Sequence, residues 1–152
     1  ELHIRLHAKG FHESFVESCL RLLKNQGLLD DHAFALAHVR SRIRFHVRGR
    51  VRLSQELRQK GVRTEIANRA IDEVFNDEET SEEELACDAA RQWISRQNQS
   101  SRNALVSTDP EANGQKVRRR LYAFLSRRGF RSDAVRAGLT EAEARARNSL
   151  DE

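Results

Sequence analysis

Cysteine, proline, glycine and long apolar runs are all scarce in this 152-residue chain, and each scarcity excludes something. The two cysteines, Cys19 and Cys87, stand far apart with no Cys-x-x-Cys or Cys/His ligand spacing. A disulfide framework and a structural zinc are therefore disfavoured, and a reducing cytoplasm suits the chain. No apolar run approaches the ~18 residues that span a bilayer, and no basic start leads into an apolar stretch with a cleavage site. No membrane association is expected. Pro110 is the only proline, and period-two alternation of β-branched residues is almost absent, whereas Ala, Leu, Arg and Glu abound. These are helix formers, so the expected fold is all-α. With 38% hydrophobic and 33% charged residues, the chain is too polar for one large core and suits a string of small helical modules. Catalytic signatures are missing as well: there is no phosphate loop, no His-Glu-x-x-His and no nucleophile elbow. An enzyme is not expected.

What is present is charge in blocks. The net charge is +4, and all but four of the 27 basic residues are arginine. Arg40, Arg42, Arg44, Arg48, Arg50 and Arg52 fall within thirteen residues that contain no acid. A second cluster holds Lys116, Arg118, Arg119, Arg120, Arg127, Arg128 and Arg131. Between them lies an acidic block of Asp72, Glu73, Asp77, Glu78, Glu79, Glu82, Glu83 and Glu84. Such blocks attract polyanions, mate with oppositely patterned proteins, or form solvated helix faces.

One pattern occurs three times with identical spacing. It reads Leu2, Leu6, Lys9-Gly10-Phe11, Val16, Leu20, then Leu53, Leu57, Lys60-Gly61-Val62, Ala67, Ile71, then Leu121, Leu125, Arg128-Gly129-Phe130, Val135, Leu139. Leucines four apart make one helix face, the basic residue suits the negative end of the helix dipole, and glycine ends the helix in the left-handed conformation. Each copy is thus a helical hairpin, with Thr64 and Ser132 placed to cap the second helix and Glu13 or Ser14 doing so less well. A further helix precedes the second hairpin, capped at Asp30 with Phe34, Leu36, Ala37, Val39 and Ile43 along its face. Ser81 likewise caps a helix bearing Leu85, Ala86, Ala89, Ala90 and Trp93.

The expected architecture is an elongated tandem array of three-helix units, the first lacking its leading helix. Residues 1–25 are the last two helices of the first unit, 30–75 the second unit and 81–139 the third. The polar span of about 97–115 reads as a flexible insertion, and 140–152 as a tail or a helix opened by a Thr140/Glu143 capping box. His3 and His7 share a helix face, but no third ligand is near in sequence, so a solvated face is favoured over metal. The cysteines and Trp93 sit at apolar helix positions and read as packing residues. The arginine forks suit bidentate binding of phosphate or carboxylate.

These motifs resemble those of the RecX family of bacterial RecA regulators. Glu1-Leu2, Arg5-Leu6 and Lys9-Gly10-Phe11 resemble the family's first repeat, and Gly27-Leu28-Leu29-Asp30-Asp31, Phe34 and Val39-Arg40-Ser41-Arg42 its most distinctive block. Arg52-Leu53 and Glu56-Leu57-Arg58-Gln59-Lys60-Gly61-Val62 resemble the second repeat, and Phe124-Leu125 with Arg127-Arg128-Gly129-Phe130 the third. The chain departs from the family at Val47-Arg48-Gly49-Arg50, where a Gly-Tyr-Gly-Pro-like turn is usual. The resemblance implies a non-enzymatic, cofactor-free monomer that lies in the groove of the RecA–DNA filament. There it modulates, usually by inhibition, recombination, ATP hydrolysis and the co-protease activity of the SOS response. The residues expected to contact acidic groups or DNA are Arg40, Arg42, Arg44, Arg48, Arg50, Arg52, Arg118, Arg119, Arg120, Arg127 and Arg128. An autonomous DNA-binding helical module is the alternative.

Overall fold

The computed structural model describes residues 2–107 and 113–148. Among these residues the fold is all-α, with helices α1 (Leu2–Ala8), α2 (Glu13–Asn25), α3 (Asp31–His46), α4 (Arg50–Gln59), α5 (Thr64–Asp77), α6 (Glu82–Ser95), α7 (Gln99–Val106), α8 (Gly114–Arg127) and α9 (Ser132–Asn148).

The three repeated hairpins are α1–α2, α4–α5 and α8–α9, and all close in the same way. The glycine amide donates to the carbonyl three residues back, as Gly61 does to Arg58 at 2.9 Å, and the next amide reaches back five, as Val62 does to Leu57 at 3.0 Å. Gly10, Gly61 and Gly129 hold φ of +85°, +87° and +79°, the left-handed geometry this motif requires. The same paired bonds end α5, but there Glu79 takes the left-handed position at φ +47° and no glycine marks the turn.

Caps agree in part with expectation. Asp30 accepts from the amides of His32 and Ala33, and Ser81 forms a full capping box with Glu84. Thr64, expected as a cap, is instead the first helical residue after Arg63, and α9 starts at Ser132 itself. At α2 the cap is His12, whose Nδ1 accepts from Ser14 N.

One core runs without a break from Ala35 on α3 to Ala146 on α9, so the second and third units share their interior. Leu53, Leu57, Leu121 and Leu125 are fully buried in it, as the repeat predicts. The first hairpin is different. Val16 is its buried residue, lying outside the shared core, while Phe11, Phe15 and Leu22 are exposed. Among the described residues no third helix packs closely on this pair, which also leaves Cys19 exposed where packing was expected. The total surface of 10040 Å² exceeds the roughly 7900 Å² of a compact protein of this mass.

Two spans differ from expectation. Residues 97–115, read as a flexible insertion, contain α7, capped by Asn98, with Ala104 and Leu105 buried against α8 and α9. Burial of a few small apolar residues outweighs the polar composition that suggested a loop; Pro110 lies outside the described residues. Thr140 opens no new helix, because α9 continues through it and buries Ala142 and Ala146.

The seam between the units is made of backbone. Gly49 N donates to Arg128 O at 2.9 Å and Val51 N to Gly129 O at 3.1 Å, so the α8–α9 turn receives the free amides at the start of α4. The buried Glu82 carboxylate completes this, accepting from Arg50 N at 2.9 Å and Arg131 N at 3.3 Å. A single acid thereby meets the positive ends of α4 and α9. Gly49, where the chain departs from the family turn, has φ −77° and is not left-handed. Glycine is needed there because a Cβ would stand 2.3 Å from Gly129 O.

Candidate anion-binding face

The first arginine cluster is turned inward, onto the chain's own acids. Arg40 pairs with Asp77 at 3.0 Å and Glu78 at 3.9 Å, and Arg44 with Glu78 at 3.5 Å. Arg50 contacts Asp72 and lies 4.2 Å over the Phe75 ring. Glu56, largely buried on α4, gathers Arg42 at 2.9 Å, Arg52 at 3.3 Å, Arg48 at 3.7 Å and His38 at 3.2 Å. Of these pairs, those of Arg40 and Arg44, like that of Arg50 with Asp72, are exposed, which makes them weak and exchangeable for an incoming anion. The Glu56 knot is shielded and ties α3, the α3–α4 loop and α4 together.

That knot makes the fold sensitive to acid. Burial pushes the His38 imidazole below its ordinary 6.5, against the hydrogen bond it donates to Glu56, which favours charging it. Burial raises the Glu56 carboxyl, but hydrogen bonds from His38, Arg42 and Arg52 outweigh it and hold the group below its ordinary 4.5. In both cases the unfolded chain binds protons at higher pH than the folded one, so stability falls as pH drops, first below about 6.5 through His38 and then below about 4.5 through Glu56. The melting temperature is expected to decline from about pH 7 to about pH 5, and His38→Gln to flatten that stretch. A variant profile parallel to the parent's would contradict the assignment.

The second cluster divides. Arg118 bonds Glu143 at 2.7 Å and Leu105 O at 3.1 Å, which fixes α8 to α9 and α7. Arg128 stacks 4.5 Å over Phe124 and donates to Val47 O at 3.2 Å and His46 O at 3.4 Å, satisfying carbonyls at the end of α3. Burial, with Arg48 and Arg96 nearby, lowers the Arg128 pKa. Both side chains are thus structural.

Arg131 pairs with Glu82 at 3.9 Å. Lys116, Arg119, Arg120 and Arg127 remain, and among the described residues none of their side chains has a hydrogen bond or ion pair. Their spacing puts them with Ala123 on one face of α8, a stripe about 16 Å long. Together with Trp93 of α6 they line a groove of about 360 Å³ that has no acid in its wall. Trp93, expected in the core, is only half-buried: one side rests on Phe124, with ring centroids 6.4 Å apart, and the other faces the groove. Cations flanking an aromatic plane suit phosphates on a strand whose bases can stack. The sequence shows the stripe but not its freedom, which depends on where the acids of other helices go.

The histidine pair also gains a neighbour that sequence spacing hides. Glu13, at the start of α2, approaches His3 at 2.9 Å and contacts His7.

Repeated helical hairpins and a shared core define an all-α helical-repeat protein, here one that carries a cationic stripe. Comparison with known proteins narrows this. The family model for the second three-helix domain of RecX matches residues 30–71, which hold α3, α4 and most of α5. The regulatory protein RecX of Halorhodospira halophila is 35% identical over 143 residues, 94% of this chain and 78% of that protein. That of Prosthecochloris aestuarii is 34% identical over 143 residues, 93% and 81% of the two. A crystal structure of a regulatory protein RecX superposes with a TM-score of 0.67 at 29% identity, covering 86% of this chain and 58% of that one. RecX from Lactobacillus salivarius, at 18% identity, shares the fold with a TM-score of 0.69 over 93% of this chain and 82% of its own. The chain belongs to the RecX family of regulatory proteins. Among the described residues no helix is long and apolar enough to cross a membrane.

Proposed function

We propose that this protein binds the RecA–DNA filament in the cytoplasm and restrains RecA's recombinase, ATPase and co-protease activities in DNA repair and the SOS response. It acts by binding and not by bond-making chemistry. The observation that carries the reading is the set of four unpaired cations, Lys116, Arg119, Arg120 and Arg127, around the half-buried Trp93. Arg40, Arg42, Arg44, Arg48, Arg50 and Arg52 are engaged by Glu56 and the acidic block, whereas the α8 stripe has charge to spare. It faces DNA phosphates or acidic side chains along the filament groove, with Arg40 and Arg44 as exchangeable auxiliary contacts.

ATP hydrolysis by RecA on single-stranded DNA, followed with increasing amounts of the protein, tests this. Hydrolysis is expected to fall progressively, and a flat response would contradict the proposal. Equally tight binding to bare DNA, with no effect on RecA, would favour the autonomous DNA-binding module instead.

A further inference from the structure

We propose that His3, His7 and Glu13 form a divalent zinc site that clamps the first helical hairpin. His3 and His7 lie one turn apart on α1, with ring centroids at 4.7 Å and planes inclined by 53°. The left-handed turn at Gly10 reverses the chain and sets Glu13, the first residue of α2, opposite them. Each imidazole presents Nε2 to a different oxygen of the same carboxylate, His3 to Oε1 at 2.9 Å and His7 to Oε2. One donor atom from each residue lies within 4.8 Å of the other two. The His7 Nε2 atom is shielded from solvent, and the group it faces is Glu13 Oε2, the oxygen that would share the ion with it. His12 is not part of the set, since its Nδ1 is engaged by Ser14.

Donor chemistry selects the ion. Two imidazole nitrogens and one carboxylate oxygen match zinc's preferred ligands, whereas calcium and magnesium favour all-oxygen shells. Tetrahedral ligands at about 2.0–2.1 Å from zinc stand about 3.3 Å apart, so small side-chain rotations close the three donors around an ion. Three protein ligands leave a fourth position for water, which makes the site exchangeable. The consequence follows from the hairpin's poverty of packing. Val16 is its buried residue and sits outside the shared core, so the free energy of metal binding adds directly to the order of α1 and α2. Zinc occupancy would thus stiffen the α1–α2 hairpin while leaving the other units unchanged.

The test is a titration of the full chain with zinc chloride, followed by histidine side-chain NMR and by amide hydrogen exchange. One equivalent of zinc is expected to shift His3 and His7, leave His38 and His46 in place, and slow exchange in α1 and α2 only; magnesium does nothing. Competition with a chromogenic chelator gives the affinity. His3→Ala and Glu13→Gln, both at exposed positions, should each weaken it by more than the roughly 10–100-fold that an outer-sphere partner costs. His46→Ala should not change it. Absence of binding, zinc shifts confined to other histidines, or unchanged affinity in the His3 and Glu13 variants would overturn the proposal.

Discussion

A chain carrying Lys116→Glu, Arg119→Glu, Arg120→Glu and Arg127→Glu is expected to fold as before and to lose its hold on RecA. Among the described residues none of the four side chains has a partner, so their replacement removes no hydrogen bond or ion pair there. Unpartnered surface substitutions each change stability by no more than about 0.5 kcal/mol. The opposite holds for binding, because four attractive charges become four repulsive ones against a polyanion. The concentration needed to suppress RecA ATP hydrolysis should rise on the order of a hundredfold or more. Arg42→Glu with Arg52→Glu is the informative contrast. There the change strands the shielded Glu56 carboxylate among like charges, and the fold itself should weaken, by about 3–5 kcal/mol. Circular-dichroism melts beside the ATPase assay separate the two outcomes. Retained suppression in the fourfold variant would rule out the α8 stripe as the contact.

The second large effect belongs to the seam. Gly129→Ala places a Cβ 2.3 Å from Arg52 N and 2.8 Å from Arg52 Cα at a residue whose φ is +79°. Left-handed strain costs about 1 kcal/mol and overpacking against backbone that cannot yield adds about 1–3 kcal/mol. The same shift would pull Gly129 O away from Val51 N and Arg128 O away from Gly49 N, exposing the start of α4. A total near 4 kcal/mol is expected, lowering the melting temperature by about 8–16 °C for a chain of this length. Gly10→Ala carries the conformational strain alone, since nothing lies within 4 Å of the added carbon. Its effect should be about a quarter as large. Equal effects at the two glycines would show that units two and three are not joined in this way.

What the sequence discloses here is local, and what it conceals is tertiary. The three glycine hairpins are legible because each is written within about ten residues, and the buried leucines follow from the same spacing. The turn at Glu79 is not, since a left-handed non-glycine residue leaves no compositional mark. Helix α7 escapes notice because its apolar content is little more than Ala104, Leu105 and Val106 in a polar stretch. The arginine clusters are visible as clusters, but their division into spent and free cations is decided largely by acids on other helices, such as Glu56, 14 positions from Arg42, and Asp77, 37 positions from Arg40. Glu82 is hidden for the same reason: an acid in the first turn of α6 reads as a local dipole partner, yet it meets the starts of α4 and α9. Glu13 lies beyond the helix that pairs the two histidines, and only the reversal at Gly10 turns its carboxylate onto both rings.

The salt dependence of affinity for RecA–single-stranded DNA filaments, compared between the parent chain and the Lys116→Ala, Arg119→Ala, Arg120→Ala, Arg127→Ala variant, is the most direct test that the free stripe meets the polyanion. A slope shallower by about 0.7 per cation removed, with the melting temperature unchanged, is the predicted result. Identical slopes for the two proteins would contradict it.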